Sequence, residues 1–212
     1  LDRIYPWGAL WCLLPRGVPG KPLALLLWLP LLFPARDLPR QGEAELVAID
    51  VGQGLSVLVR TARHSLLYDM GPATEDGFDA GERAVVPALH ALGVRRLDAA
   101  VISHGDNDHA GGWAAVDKAF PVAALLAPAG SPVPGIAACV AGQSWEWDGV
   151  RFRMRHPPQG FPYLGTEASC VIRVETKHGN VLLTGDIGHY VERALLRRES
   201  ARMRNDVVVV AH

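Results

Sequence analysis

Four side chains able to hold a metal fall within six residues: His104, Asp106, Asp108 and His109, in Ser103–Gly112, SHGDNDHAGG. Directly before them runs Leu97–Ser103, LDAAVIS, an apolar stretch that reads as a buried strand. A strand end followed by a glycine-bearing turn lets side chains at i, i+2, i+4 and i+5 converge. Two imidazoles and two carboxylates in one small volume repel or stay solvated unless a cation sits among them. Other candidates also stand where apolar runs end: Asp50 opens DVGQG, Asp69 closes SLLYD, Asp186 follows VLLTG and His212 follows VVVVA. Strand ends gathered on one sheet edge are where α/β folds collect ligands. The competing reading is a polar loop with Asp108 as helix N-cap, and turn residues for the lone acids.

Short elements must position these groups. Glu45–Asp50, Leu55–Arg60 and Ser65–Asp69 read as adjacent strands separated by Gly-Gln-Gly and Arg-His turns. Glu82–Leu92 has helical spacing with Gly93 as its C-cap, and Leu97–Ser103 follows as a strand. Ala123–Ala127, Gln143–Trp147, Val150–Arg155, Ser169–Glu175 and Asn180–Thr184 read as further strands. Gly188–Arg198 is expected as a helix and Asp206–Val210 as a last strand. Many strands with interposed helices predict a layered α/β domain.

The 212 residues carry 21 Lys+Arg against 22 Asp+Glu, a formal net charge of −1, which excludes a strongly basic polyanion binder. Any polyanion must be held by a local cluster, and Arg197 and Arg198 in RRESARMR are the richest one. Hydrophobic residues at 49% with 20% charged exclude a disordered chain. Three cysteines without a CxxC exclude a dense disulfide scaffold and a four-cysteine zinc module. Leu1–Pro34 stands apart, with 21 apolar residues of which 11 are leucines, in two runs split by PRGVPGKP. Each run is 11 residues, short of the roughly 20 that a spanning helix needs. The Pro/Arg-rich stretch 35–44 reads as a linker, so the folded domain is expected over 45–212.

SHGDNDHAGG resembles the His-x-His/Asp-x-Asp-His signature of metallo-β-lactamase-fold hydrolases, with Asp69, Asp186 and His212 at that fold's other strand ends. DVGQG, LLYDMG, SHGDNDHAGG, EASCVI and LLTGDI, in that order, resemble the C-terminal metallo-β-lactamase-like domain of ComEC-type competence proteins, inner-membrane channels that internalise single-stranded DNA. The resemblance implies an αββα sandwich, with residues 1–34 as the membrane-proximal stub of a polytopic domain; a core helix or interfacial hairpin is the other reading of that stub. The family pattern continues His-His-Gly-Ser where this chain has only His212, which implies a domain cut at its C-terminal end. The third histidine of many lactamase-fold enzymes has no clear counterpart; His156 is the nearest candidate and also reads as a strand-end residue beside Pro157.

The implied site holds two divalent cations, Mn²⁺ or Zn²⁺. His104 and Asp106 would serve one ion, Asp108, His109 and His212 the other, and Asp186 would bridge them. A carboxylate at Asp106, often histidine in lactamase-like enzymes, hardens the first site toward Mn²⁺ or Mg²⁺ without excluding Zn²⁺. Such a pair supplies a hydroxide nucleophile at neutral pH and clamps the attacked and leaving oxygens of a phosphodiester, with Asp108 steering the proton. Asp69 would orient a ligand histidine through its free ring N–H, or serve only as a turn residue. Gly111 and Gly112 are candidate backbone donors to phosphate, and Ser169, Arg197 and Arg198 candidate substrate contacts. Trp113, Trp145 and Trp147 could stack bases or pack the core. The expected partners are DNA, single- or double-stranded, the membrane and other DNA-uptake machinery, with the hydrolase domain on the periplasmic or outer side of the inner membrane. An acyl hydrolase of lactonase or β-lactamase type, and a non-catalytic DNA-binding domain of the channel, are the alternatives.

Overall fold

The computed structural model describes residues 38–133, 136–199 and 205–210; the apolar segment 1–34 and His212 lie outside them. The chain begins with β1 (Glu45–Ala48), β2 (Val57–Arg60) and β3 (Ser65–Tyr68). After a π-helical turn, Gly81–Val85, come α1 (Val86–Ala91), β4 (Ala99–Val101), α2 (Asn107–Ala110) and α3 (Trp113–Ala119). Then follow β5 (Leu125–Ala127), β6 (Ala137–Ala138), β7 (Ser144–Trp147), β8 (Val150–His156), β9 (Val171–Glu175), β10 (Asn180–Leu183), α4 (His189–Glu199) and β11 (Val207–Val209).

Two sheets result, ordered β1-β2-β3-β4-β5-β6 and β11-β10-β9-β8-β7. In the first, β1 to β3 pair antiparallel and β3 to β6 parallel; in the second only β10–β11 is parallel. Alternation along each strand decides which core it feeds. Val57, Val59, Leu66, Tyr68 and Val101 meet Phe152, Met154, Ile172, Val174 and Leu183 between the sheets. The alternate residues Leu58, Leu67 and Ala100 face Leu89 of α1 and Val116 of α3. On the far side of the second sheet, Val171 and Leu182 pack against Val191 and Leu195 of α4. Strands buried on both faces read as unbroken apolar runs, and β2 is buried throughout. The mixed α/β layering expected from the sequence is therefore present.

Pro87 explains why the expected helix 82–92 is not α-helical throughout. It lacks an N–H, and the wider turn Gly81–Val85 precedes it where an α-helical bond would be lost. Gly93, at φ 72, ends the helix as expected. The described part of the stretch read as linker is tied down: Gly42 N donates to Asp148 O and Lys177 N to Gly42 O. Cys139 and Cys170, both fully buried, form a disulfide with Cα atoms 6.1 Å apart across 31 residues. It joins the end of β6 to the start of β9, and so the first sheet to the second.

Candidate metal centre

Asp69 ends β3 with φ 58, a left-handed conformation uncommon outside glycine. The turn aims its buried carboxylate at two donors. Ser103 N donates to Oδ1 at 2.6 Å, and His109 Nδ1 lies 2.8 Å from Oδ2. The end of β3, the end of β4 and the short α2 are thereby held on one group. With Nδ1 facing Asp69, His109 turns Nε2 the other way. His104 is set similarly: its Nδ1 lies 2.9 Å from Ser103 Oγ and 3.4 Å from Ser169 Oγ, leaving Nε2 to face its neighbour.

The result is a convergence of buried, unpartnered ligand atoms. His104 Nε2, His109 Nε2 and Asp186 Oδ1 are buried without a hydrogen-bond partner. One ligand atom from each of these residues lies within 4.8 Å of the others. Asp186 enters from the end of β10, with Oδ1 3.4 Å from His109 Nε2. Asp106 Oδ2 lies 3.5 Å from His104 Nε2, and Asp108 Oδ2 3.7 Å from His109 Nε2. Burying polar atoms unpaired is costly, and three orphans aimed at one point fit a cation that satisfies them together. Burial and crowding shift the ionisation of these groups. Burial, then the charge of His109, lowers the pKa of His104. Burial also disfavours charged His109, but the hydrogen bond and charge of Asp69 outweigh it and raise the pKa. Burial raises Asp186 despite the pull of both histidines.

Glycines let the backbone close around this centre. A Cβ on Gly54 (φ 114), in the DVGQG turn, would sit 2.0 Å from Asp108 O. One on Gly185 would sit 2.8 Å from Ser103 Cβ. Beside Asp108 a cavity of about 580 Å³ opens between Gly52, Gln53, Pro72, Thr74 and Phe78. Asp108 lines this cavity; the side chains of Asp106 and Asp108 are 54% and 35% exposed.

The remaining candidates have other surroundings. The residue at the N-cap of α2 is Asp106, not Asp108, and its side chain makes no capping bond. Gly111 N donates to Asn107 O and Gly112 N to Gly71 O, so neither offers its N–H to a phosphate. Ser169 is fully buried and donates to Thr166 O; it backs His104 instead of meeting a substrate. His156 is outside the triad, its Nε2 2.9 Å from Glu167 O. Trp145 and Trp147 pack against Phe152 in the core. Arg197 and Arg198 are exposed in the last turn of α4, about 12–14 Å along the axis from His189. His212 is outside the described residues. Tyr163 escaped the sequence reading: its Oη accepts from Gly105 N at 2.9 Å and pins the turn between His104 and Asp106. A lone tyrosine in a Pro/Gly-rich loop carries no signal of that contact.

The sequence pattern of the metallo-β-lactamase superfamily matches residues 49–212. The chain belongs to this superfamily. Within it, the resemblance to ComEC-type competence proteins holds. Competence protein ComA of Neisseria gonorrhoeae is 38% identical over 204 residues, 96% of this chain and 28% of that protein. Recombination protein 2 of Haemophilus influenzae is 33% identical over 192 residues, 90% of this chain and 23% of that protein. The chain thus spans about a quarter of the length of these relatives. Among solved metallo-β-lactamase structures, the Cronobacter sakazakii enzyme with a HARLDQ motif superposes with a TM-score of 0.56 at 19% identity, covering 85% of this chain and 81% of that one. At that identity the likeness is one of fold. Membership in the superfamily makes this a metal-binding hydrolase-fold domain, and the orphaned atoms of His104, His109 and Asp186 fit that reading.

Proposed function

We propose that this domain is a divalent-metal-dependent phosphodiesterase acting on DNA, within a membrane protein of DNA uptake. The observation that carries the reading is the donor set: buried His104 and His109 converge with the buried Oδ1 of Asp186, and two further carboxylates, Asp106 and Asp108, flank them. An oxygen-rich set suits hard cations such as Mn²⁺, with Zn²⁺ as the second choice. Two bound divalent ions would lower the pKa of water and neutralise charge building on the attacked and leaving oxygens. The chain's own groups do the rest. Asp186 would hold the ions together with His104 and His109, and His212 would be a further ligand. Asp69 fixes the tautomer of His109 so that Nε2 stays bare. Asp108, about a third exposed beside the cavity, would accept a proton from incoming water. DNA as substrate is drawn from the competence and recombination names of the relatives.

A location outside the cytoplasm accords with the buried Cys139–Cys170 disulfide, since such bridges persist in oxidising compartments. Among the described residues no helix is long and apolar enough to cross a membrane.

The test is cleavage of single- and double-stranded DNA by Mn²⁺- or Zn²⁺-loaded protein, beside bis(p-nitrophenyl) phosphate and a chromogenic lactam. Cleavage of DNA and diester that is lost in Asp108→Ala supports the proposal. Intact DNA with an indistinguishable Asp108→Ala variant overturns it, and faster turnover of the lactam than of the diester replaces it with the acyl-hydrolase reading.

A further inference from the structure

The sequence VRFRMRH of β8 places arginines at alternate positions. Val150, Phe152 and Met154 face the core between the sheets, so Arg151 and Arg153 project from the opposite, outer face. Arg173 of β9 stands directly across from Arg153 and shares that face. The register shifts between Met154 and His156, where Arg155 lies. Its guanidinium has a lowered pKa because of burial and the charges of Arg173 and Arg153, a sign that the cations crowd together. Among the described residues, helix α4 packs on this outer face at Val171 and Leu182. The side chains of Arg151 and Arg153 remain 50% and 39% exposed.

We infer that Arg151, Arg153 and Arg155 form a ladder that holds the phosphate backbone of a nucleic-acid strand and leads it to the metal centre. Alternate residues of a strand lie about 6.6–6.8 Å apart, close to the separation of adjacent phosphates on an extended single strand. The ladder ends at the centre's rim. His156 follows Arg155 and reaches Glu167 O, and Ser169, two residues on, backs His104. Carboxylates flank the row among the described residues, Glu146 on Arg151 at 3.4 Å and Glu175 between Arg153 and Arg173 at 3.3 and 3.6 Å. The Arg151–Glu146 pair is exposed, and pairs of that kind are worth little, so a polyanion can displace it. The flanking carboxylates favour a linear polyanion over a planar anionic membrane, which would meet them together with the arginines. In a chain of net charge −1, such a row supplies the local cluster that a polyanion requires.

This inference rests on the nucleic-acid reading above but is tested without cleavage. Binding of a fluorescent oligothymidylate to the full chain is measured by anisotropy in excess chelator, across a salt series. Arg151→Gln/Arg153→Gln is expected to weaken binding on the order of tenfold at low salt, and to make the slope of log K against log salt shallower by ~1.4, two phosphate contacts on a single strand. Hydrolysis of bis(p-nitrophenyl) phosphate by the metal-loaded variant should stay at the wild-type rate. In the wild type, bound oligonucleotide should protect Arg151 and Arg153 from phenylglyoxal, a readout independent of how the variant folds. Unchanged affinity and slope, or no protection, overturns the ladder. So does loss of binding to phosphatidylserine vesicles with oligonucleotide binding intact, which makes the face a membrane surface. Wild-type protein that binds through the ladder yet cuts nothing fails the nuclease reading and leaves the ladder standing.

Discussion

Asp69 holds its left-handed turn because both carboxylate oxygens are engaged, one by Ser103 N and one by His109. The sequence marks this residue only as an acid after an apolar run. What it contacts is 34 and 40 residues away and set by folding. Asparagine tolerates the same backbone conformation, so Asp69→Asn isolates the electrostatic role from the conformational one. The variant keeps a carbonyl for one donor but loses the charge that fixes the His109 tautomer. Its affinity for Mn²⁺ or Zn²⁺ should fall about 10–100-fold in a chelator-competition titration, with the circular dichroism of the wild type retained. Unchanged affinity would reduce Asp69 to a turn residue. Gly54→Ala acts at the same centre from the backbone side, since its Cβ would lie 2.0 Å from Asp108 O at φ 114. A lower Tm and weaker metal binding together are expected in thermal and titration measurements, because strain at such a position costs about 1–3 kcal/mol.

The strands most legible in the sequence are those whose burial writes itself into composition: β2, buried at all four residues, and β8, alternating buried and exposed. β6 is two alanines long and leaves no pattern to read. The disulfide is equally silent, because three cysteines do not reveal which pair comes within bonding distance. In the metal centre, the cluster from His104 to His109 was legible because it is contiguous. The share of Asp186 was legible only as a strand end, and the backing by Tyr163 not at all. The β7–β8 turn gives a prediction at this scale. Asp148 (φ 51) accepts from Thr61 Oγ1 at 2.7 Å and from Arg63 N and Nε at 2.7 and 2.9 Å, with His64 Nδ1 at 3.2 Å. Burial would raise its pKa, but these partners outweigh burial and hold it well below the usual carboxylate range. A folded pKa below the unfolded one, about 3.9, stabilises the fold above that value and ceases to do so as pH falls through the folded pKa. Asp148→Asn should therefore lower Tm by several degrees at pH 7, and the gap to wild type should narrow in a Tm series taken down to pH 2.

At the scale of the molecule, two connections join the sheets at the same end. His104 and His109 follow β4 of the first sheet, and Asp186 follows β10 of the second, so an ion held by all three would link the layers. The Cys139–Cys170 bridge does so covalently, and Cys170 N donates to Ser103 O, beside the histidines. If the bridge only restrains the unfolded chain, removing it costs about 3–4 kcal/mol for a loop of this length and leaves metal affinity untouched. If it also holds the sheets at the separation the site needs, its loss loosens Ser103 and Ser169 and with them His104. The contacts favour the second case. Saturating metal at about 100 times its Kd should stabilise the oxidised protein by about 2.7 kcal/mol, a rise of roughly 5–11 °C in Tm. In Cys139→Ala/Cys170→Ala the same metal concentration should give a clearly smaller rise, and in Asp186→Ala almost none. Equal metal-induced shifts with and without the bridge, measured by calorimetry, would show that the two connections act independently and that the disulfide contributes to the fold but not to the site.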